Sequence, residues 1–233
     1  MSSAQPIIHS MSSPMPKNPR RVVFLRHGVT EHNARGLWQG HLDTPLTDDG
    51  REQARAAAPA IAAYEPVVVV SSDLARAAET GEILAAACGL TARRDPRFRE
   101  IHVGSWQGLD AAGVEAAFPG AQARLAAGED LRRGGDGERV ADVVARARPA
   151  LDEVIAELDE GQTALIVTHG VCARTLASDL AGIDQKTAWL SLTGLGNCHW
   201  AEVAQSSPSR WRLALWNGRA TPLGRHVKEA HGY

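Results

Sequence analysis

Apolar residues fall into two kinds of pattern along this chain. RVVFL (21–25), PVVVV (66–70) and TALIVT (163–168) are short, continuous and rich in β-branched residues. Such runs suit strands buried on both faces, as in a parallel sheet. Between them, apolar positions recur at helical spacing. Thr47 or Asp48 opens a helix that runs through Ala63, with acidic residues in its first turn. Asp73 is the expected cap of a second helix, LARAAETGEILAAACG, which Gly89 ends. Val140–Leu158 reads as a long amphipathic helix, with Pro149 as a candidate kink. VCARTLASDLAG gives another helix, ended near Gly182. A short strand is expected near Thr91–Arg94. NCHWAEVAQ and SRWRLALWN, parted by SSP, read as a closing hairpin. Residues 95–137 are the least regular stretch.

Strands alternating with helices predict an α/β fold. The expected form is a three-layer α/β/α sandwich with a mostly parallel central sheet and the hairpin as an antiparallel edge. With no internal repeat or interdomain linker, residues 21–218 are expected to form one domain. Residues 219–233 are expected to be a tail. Residues 1–20 are Ser/Pro-rich and lack the apolar segment of a secretory signal. They read as a disordered leader, or as sequence upstream of a later start such as Met15.

Composition narrows the partners. A formal net charge of −2 gives no electrostatic reason to expect nucleic acid or an anionic membrane. No run approaches the ~20 apolar residues of a membrane span. Cys88, Cys172 and Cys198 are odd in number and far apart, with no CxxC pair. That favours reduced thiols and a cytoplasmic protein over a disulfide scaffold. Trp200, Trp211 and Trp216 suit a core or an interface. Aromatics on a closing hairpin favour the core, and a homodimer stays open.

In open sheets of this class, ligands bind beyond the carboxyl ends of the strands. Arg26-His27-Gly28 follows the first strand. Ser71-Ser72-Asp73-Leu74-Ala75-Arg76 follows the second. Arg99-Glu100 follows the third, and His169-Gly170 follows TALIVT. Taken singly, each of these has an ordinary reading: a loop histidine, a solvated arginine, a surface glutamate. Their expected convergence on one rim changes the weighing. Arg26 and Arg76 make a clamp that matches phosphate geometry. A neutral imidazole is a competent nucleophile near neutral pH, and nearby arginines favour that neutral form. A Glu can protonate a leaving oxygen and then take a proton from water. These parts suit phosphoryl transfer. No GxxxxGK[ST] loop points to a nucleotide triphosphatase. A metal site from His27, His32, Asp43 and His169 is disfavoured. The chain has no HExxH, and two arginines beside a cation would be unfavourable. No metal or other cofactor is expected.

These motifs resemble those of the histidine phosphatase superfamily, also called phosphoglycerate mutase-like. RHGVTEHN is similar to the family's RHGxTxxN. WQGHLDTPLTDDGREQA (38–54), SSDLARAAET (71–80), REIHVGSWQG (99–108) and THGVCAR (168–174) resemble its later segments, in order. The resemblance implies that His27 is phosphorylated during turnover. Arg26, Arg76 and His169 would hold the transferring group, and Glu100 would donate the proton. Thr30, Asn33, Gln39 and Gly40 would line the substrate loop, and the backbone of Gly170 and Val171 would face the phosphate. His32 matches a variable position and is expected to be non-catalytic.

Both mutases and phosphatases of this family pass through phosphohistidine. By the resemblance, true mutases carry a long insertion between the Glu and the second His. Here that interval is 69 positions and holds no Tyr-Asp-x-Pro-Pro element, which favours hydrolysis of a small phosphorylated metabolite. A phosphoglycerate mutase and a non-catalytic phospho-ligand-binding module are the alternatives. Within the phosphatases, VVSSDLARA, REIHVGSWQGL, LGNCHW and RWRLALWN look closest to an actinobacterial type acting on glucosyl-3-phosphoglycerate. RRGGDGERVAD (132–142) departs from the family's GGES-type segment, with Arg139 in place of the Ser. Arg132 and Arg133 either contact a second acidic group, such as a glycerate carboxylate, or lie in a solvated loop.

Overall fold

The computed structural model describes residues 18–220, so residues 1–17 of the expected leader and 221–233 of the expected tail lie outside the described residues. The elements run β1 (Arg21–Arg26), α1 (Glu31–Ala34), α2 (Asp48–Ala62), β2 (Pro66–Ser71), α3 (Ala75–Ala87), β3 (Arg93–Arg94), α4 (Ala111–Ala117), α5 (Ala121–Ala126), α6 (Val140–Ala156), β4 (Thr163–Thr168), α7 (Gly170–Leu180), α8 (Gln185–Ser191), β5 (Trp200–Ser207) and β6 (Arg210–Gly218). The sheet order is β3-β2-β4-β1-β5-β6. β1 to β4 are mutually parallel, and β5 and β6 close one edge antiparallel.

The continuous apolar runs are explained by two cores. Along β1, Val22 and Phe24 enter one core while Val23 and Leu25 enter the other. β4 divides in the same way, with Ala164 and Ile166 against Leu165 and Val167. Val143 and Leu151 of α6 and Leu176 of α7 fill the first core. Ala54, Ala57 and Ile61 of α2 and Leu84 of α3 fill the second. A strand covered on both faces has no solvent side to make polar. The hairpin tryptophans pack inward as expected: Trp200 is buried, and Trp211 and Trp216 are half-buried against the first core.

Of the two caps that the sequence suggests, one holds and one is exchanged. Thr47 caps α2, its Oγ1 accepting the Gly50 N–H at 3.1 Å. Asp73 does not cap α3. Its two oxygens accept from Arg99 Nε and Nη2 at 2.7 and 2.5 Å. Asp43, from the loop before α2, instead accepts the Ala75 N–H at 2.7 Å. A bidentate guanidinium engages both carboxylate oxygens and holds Asp73 away from the helix end. Pro149 breaks no element, since α6 runs unbroken through it. Cys88, Cys172 and Cys198 are unpaired thiols. Among the described residues no helix is long and apolar enough to cross a membrane.

The register sets the rim. Arg26 pairs with Thr168 across β1 and β4, and Ser71 pairs with Val167 across β2 and β4. His27, Ser72 and His169 are therefore the first residues beyond three adjacent parallel strands.

Candidate active site

His27 is 2% exposed. Its Nδ1 lies 2.7 Å from the Gly28 carbonyl oxygen, and its Nε2 lies 3.2 Å from Arg76 Nε. A carbonyl only accepts and a guanidinium only donates. Nδ1 therefore carries the proton, and Nε2 presents its lone pair. Burial drives the His27 pKa well below its ordinary value of 6.5, and the charges of Arg76 and Arg26 push the same way. The ring is a neutral imidazole whose Nε2 lone pair accepts from Arg76 Nε.

Arg76 stands in the first turn of α3 and is 1% exposed. Its Nη1 donates to Leu42 O at 2.7 Å and its Nη2 to Gly40 O at 2.9 Å. Those two carbonyls of the 38–46 loop fix the guanidinium against His27. Gly40 is required there: its φ is +52°, and a Cβ would lie 2.7 Å from Val103 Cγ2. Burial lowers the Arg76 pKa to about 10, which leaves it charged at neutral pH. Arg26 Nη1 donates to Leu195 O at 2.7 Å, while its Nε is buried with no acceptor among the described residues.

His169 caps the start of α7, and its ring lies 5.1 Å from that of His27, edge to face. Its Nε2 is 2.9 Å from Ser72 Oγ. Burial, followed by Arg76 and His27, pushes the His169 pKa well below 6.5. Ser72 Oγ already accepts the Leu74 N–H at 3.3 Å, so its own O–H is free to donate to His169 Nε2. The Ser72 hydroxyl can serve Nε2 as donor or as acceptor, and His169 Nδ1 is buried with no partner among the described residues. Arg26 Nε and His169 Nδ1 are thus two buried polar atoms without a partner among the described residues, and such groups are rare without cause.

Glu100 is held by backbone. Its Oε1 accepts from the N–H of Ile101 at 2.9 Å and of Cys172 at 3.0 Å, and its Oε2 accepts from Val171 N–H at 3.1 Å. The positive end of α7 thereby holds this carboxylate. Sequence expectation assigns the Val171 N–H to a phosphate; in the structure that N–H donates to Glu100, because the carboxylate reaches the helix end. Gly170 lies beside the Arg26 guanidinium, where a Cβ would stand 3.6 Å from Nε. The Glu100 carbonyl accepts from Arg146 Nη2 and His41 Nε2, each at 2.8 Å.

Thr30 caps α1 and accepts from Asn33 N–H at 3.2 Å. Asn33 Oδ1 accepts from Thr30 N–H and from Asn197 Nδ2, each at 3.2 Å. Gln39 Oε1 accepts from the hydroxyls of Thr30 and Thr44. With both amide oxygens engaged, the NH2 ends of Asn33 and Gln39 are what these residues offer an anion. Asn197 also donates to His27 O at 3.0 Å. Sequence reading misses Ser72, Asn197 and Arg146. Ser72 carried a signal, since it directly follows a strand. Asn197 and Arg146 reach the site from distant elements and carried none.

The profile of the Histidine phosphatase superfamily (branch 1) matches residues 22–219. The chain belongs to the histidine phosphatase superfamily. Within it, the chain is 40% identical over 216 residues to a glucosyl-3-phosphoglycerate phosphatase of Mycobacterium tuberculosis, covering 86% of this chain and 96% of that protein. A solved mycobacterial glucosyl-3-phosphoglycerate phosphatase complexed with VO3 is 39% identical, with a TM-score of 0.79 over 85% of this chain and 99% of that one. A probable phosphoglycerate mutase, GpmB of Serratia proteamaculans, is 35% identical over 200 residues, covering 84% of this chain and 89% of that protein.

Proposed function

We propose that this member of the histidine phosphatase superfamily hydrolyses small phosphomonoesters through a phosphohistidine on His27. The observation that carries the reading is the fixed tautomer of His27, with Nδ1–H tied to Gly28 O and the Nε2 lone pair held beside Arg76. In the first step Nε2 attacks phosphorus and the bond from phosphorus to the ester oxygen breaks. Glu100 takes up the proton that the phosphate monoanion brings and passes it to that oxygen, and the alcohol leaves. Arg26, Arg76 and His169 bear the phosphoryl oxygens, with Asn33 and Gln39 at the loop side. In the second step Glu100 takes a proton from water, whose oxygen attacks phosphorus. The bond from phosphorus to Nε2 breaks, and inorganic phosphate leaves. No proton has to leave Nε2 before attack, since burial and two arginines keep it unprotonated; the Arg76 Nε–H that it accepts passes to the phosphoryl group.

The mycobacterial relatives support a phosphoglycerate-type ester as substrate, with glucosyl-3-phosphoglycerate the first to try. The mutase-named relative supports a second reading, phosphoglycerate mutase. The short interval from Glu100 to His169 weighs against it. Three unpaired thiols support a reducing, cytoplasmic setting.

Rapid quench with a 32P-labelled ester is expected to trap an acid-labile phosphoprotein. His27→Ala is expected to lose both this species and turnover, by a factor on the order of 10⁴ or more. Turnover that survives in His27→Ala would sink the reading. Interconversion of phosphoglycerates that depends on a bisphosphorylated primer, in place of phosphate release, would select the mutase.

A further inference from the structure

Two more arginines are buried around Glu100. Arg133 is 1% exposed and Arg174 is 9% exposed. Both guanidiniums lie on one indole: Arg174 Cζ is 3.8 Å from the Trp189 ring centroid and Arg133 Cζ is 5.5 Å from it. Their polar partners are poor. Arg133 donates Nη1 to Leu131 O, and its Nε is buried with no acceptor among the described residues. Asp130 stands 3.9 Å from Arg133, but its oxygens accept the N–H groups of Val140 and Ala141 at the start of α6. Arg174 donates to Leu192 O at a long 3.4 Å.

A pair of buried like charges is costly when no anion balances it. Burial pushes both arginines down to about 10, and the charge of Arg133 adds to the effect on Arg174. Stacking on Trp189 accounts for the flat faces of the two guanidiniums and leaves their N–H edges to find acceptors. Two buried guanidiniums, one with an orphaned N–H, fit an anion that binds both.

Their position says which anion. Arg174 lies one turn beyond Val171 and Cys172, whose N–H groups hold Glu100. The Glu100 charge acts on Arg133 and Arg174 as well as on Arg26 and Arg76. Arg174 and the N–H groups that hold Glu100 thus belong to the first turns of one helix, α7, which puts this second cationic group near the carboxylate that would meet the leaving alcohol. Arg132 does not share it. That side chain is exposed, donates to Gly137 O at 2.7 Å and pairs with Asp142 at 3.4 Å.

We infer that Arg133 and Arg174, stacked on Trp189, form a second anion subsite that binds the carboxylate of a phosphoglycerate-type ester. This rests on the phosphatase reading above. The test compares 3-phosphoglycerate with its carboxyl methyl ester, with p-nitrophenyl phosphate as the control for phosphatase chemistry. The wild-type chain is expected to favour the free acid by about tenfold or more in kcat/KM, mainly through KM. Arg133→Gln and Arg174→Gln are expected to bring that ratio toward one, and Arg132→Gln to keep it. A wild-type ratio near one overturns the subsite without needing any variant to fold. Variants that lose activity on acid and methyl ester in parallel also overturn it, because a structural role cannot tell the two apart. A chain that hydrolyses none of the three esters overturns the phosphatase reading itself.

Discussion

The tautomers of His27 and His169 are set by different kinds of partner. A backbone carbonyl and a guanidinium fix His27, and neither can reverse its role. A hydroxyl partners His169, and it can either donate or accept. Ser72→Ala is therefore expected to change how the His169 proton is shared between Nδ1 and Nε2, read by 15N correlation spectra of the imidazole, while His27 keeps its Nδ1–H. An unchanged His169 spectrum would refute the role given to Ser72. The same two rings make stability depend on pH. Both are held neutral when folded, with pKa values far below 6.5. Unfolded, they protonate near their ordinary value of ~6.5. Below that pH the unfolded chain binds more protons, so stability falls as pH falls, and above it their contribution is flat. Two such groups allow a slope of up to about 2.7 kcal/mol per pH unit between pH ~6 and the lowered values. Urea unfolding at pH 7.5 and 5.5 checks this, and His169→Gln is expected to shrink the difference.

At the scale of elements, the loop after β1 is braced by α2. A Cβ on Gly28 would lie 2.3 Å from Gly50 O, and one on Gly50 would lie 2.3 Å from Val29 O. Backbone meets backbone there, with no flexible side chain to yield. Gly50→Ala is expected to destabilise the fold by about 1–3 kcal/mol in denaturant titration. It is also expected to slow turnover, because the loop carrying His27 is what must move. The sequence made the strands and the long helices legible, since buried runs and helical periodicity are local properties. It also made legible the strand-end set of Arg26, His27, Arg76, Glu100 and His169. The cap of α3 was not legible. The sequence points to Asp73, which directly precedes the expected helix, whereas Asp43 stands far off along the chain and reaches Ala75 only through the fold, with Asp73 drawn off by Arg99. Residues 95–137 were opaque for a related reason. Their short turns are held by distant partners, as the His102 N–H is by Glu138, which Arg146 holds in turn.

For the whole molecule, one sheet serves two cores, and β4 is fully buried between them. Ile166→Ala is expected to cost about 2–5 kcal/mol in chemical denaturation. Because β4 leads directly into His169, lost packing there should also weaken anion binding. Orthovanadate at ~100 times its Kd is expected to stabilise the wild-type chain by about 2.7 kcal/mol if it binds only the folded form. A thermal shift that is absent in wild type would count against a preformed anion pocket.

The grip on Glu100 has a consequence for how such a site changes over generations. Its three donors are main-chain N–H groups of residues 101, 171 and 172. Every amino acid except proline supplies the same donor. Side chains at these three positions are buried in the first core, so packing constrains them while the grip on the carboxylate does not. The informative probe is proline itself. At Val171, in the first turn of α7, it deletes one donor at a helix position that tolerates the ring.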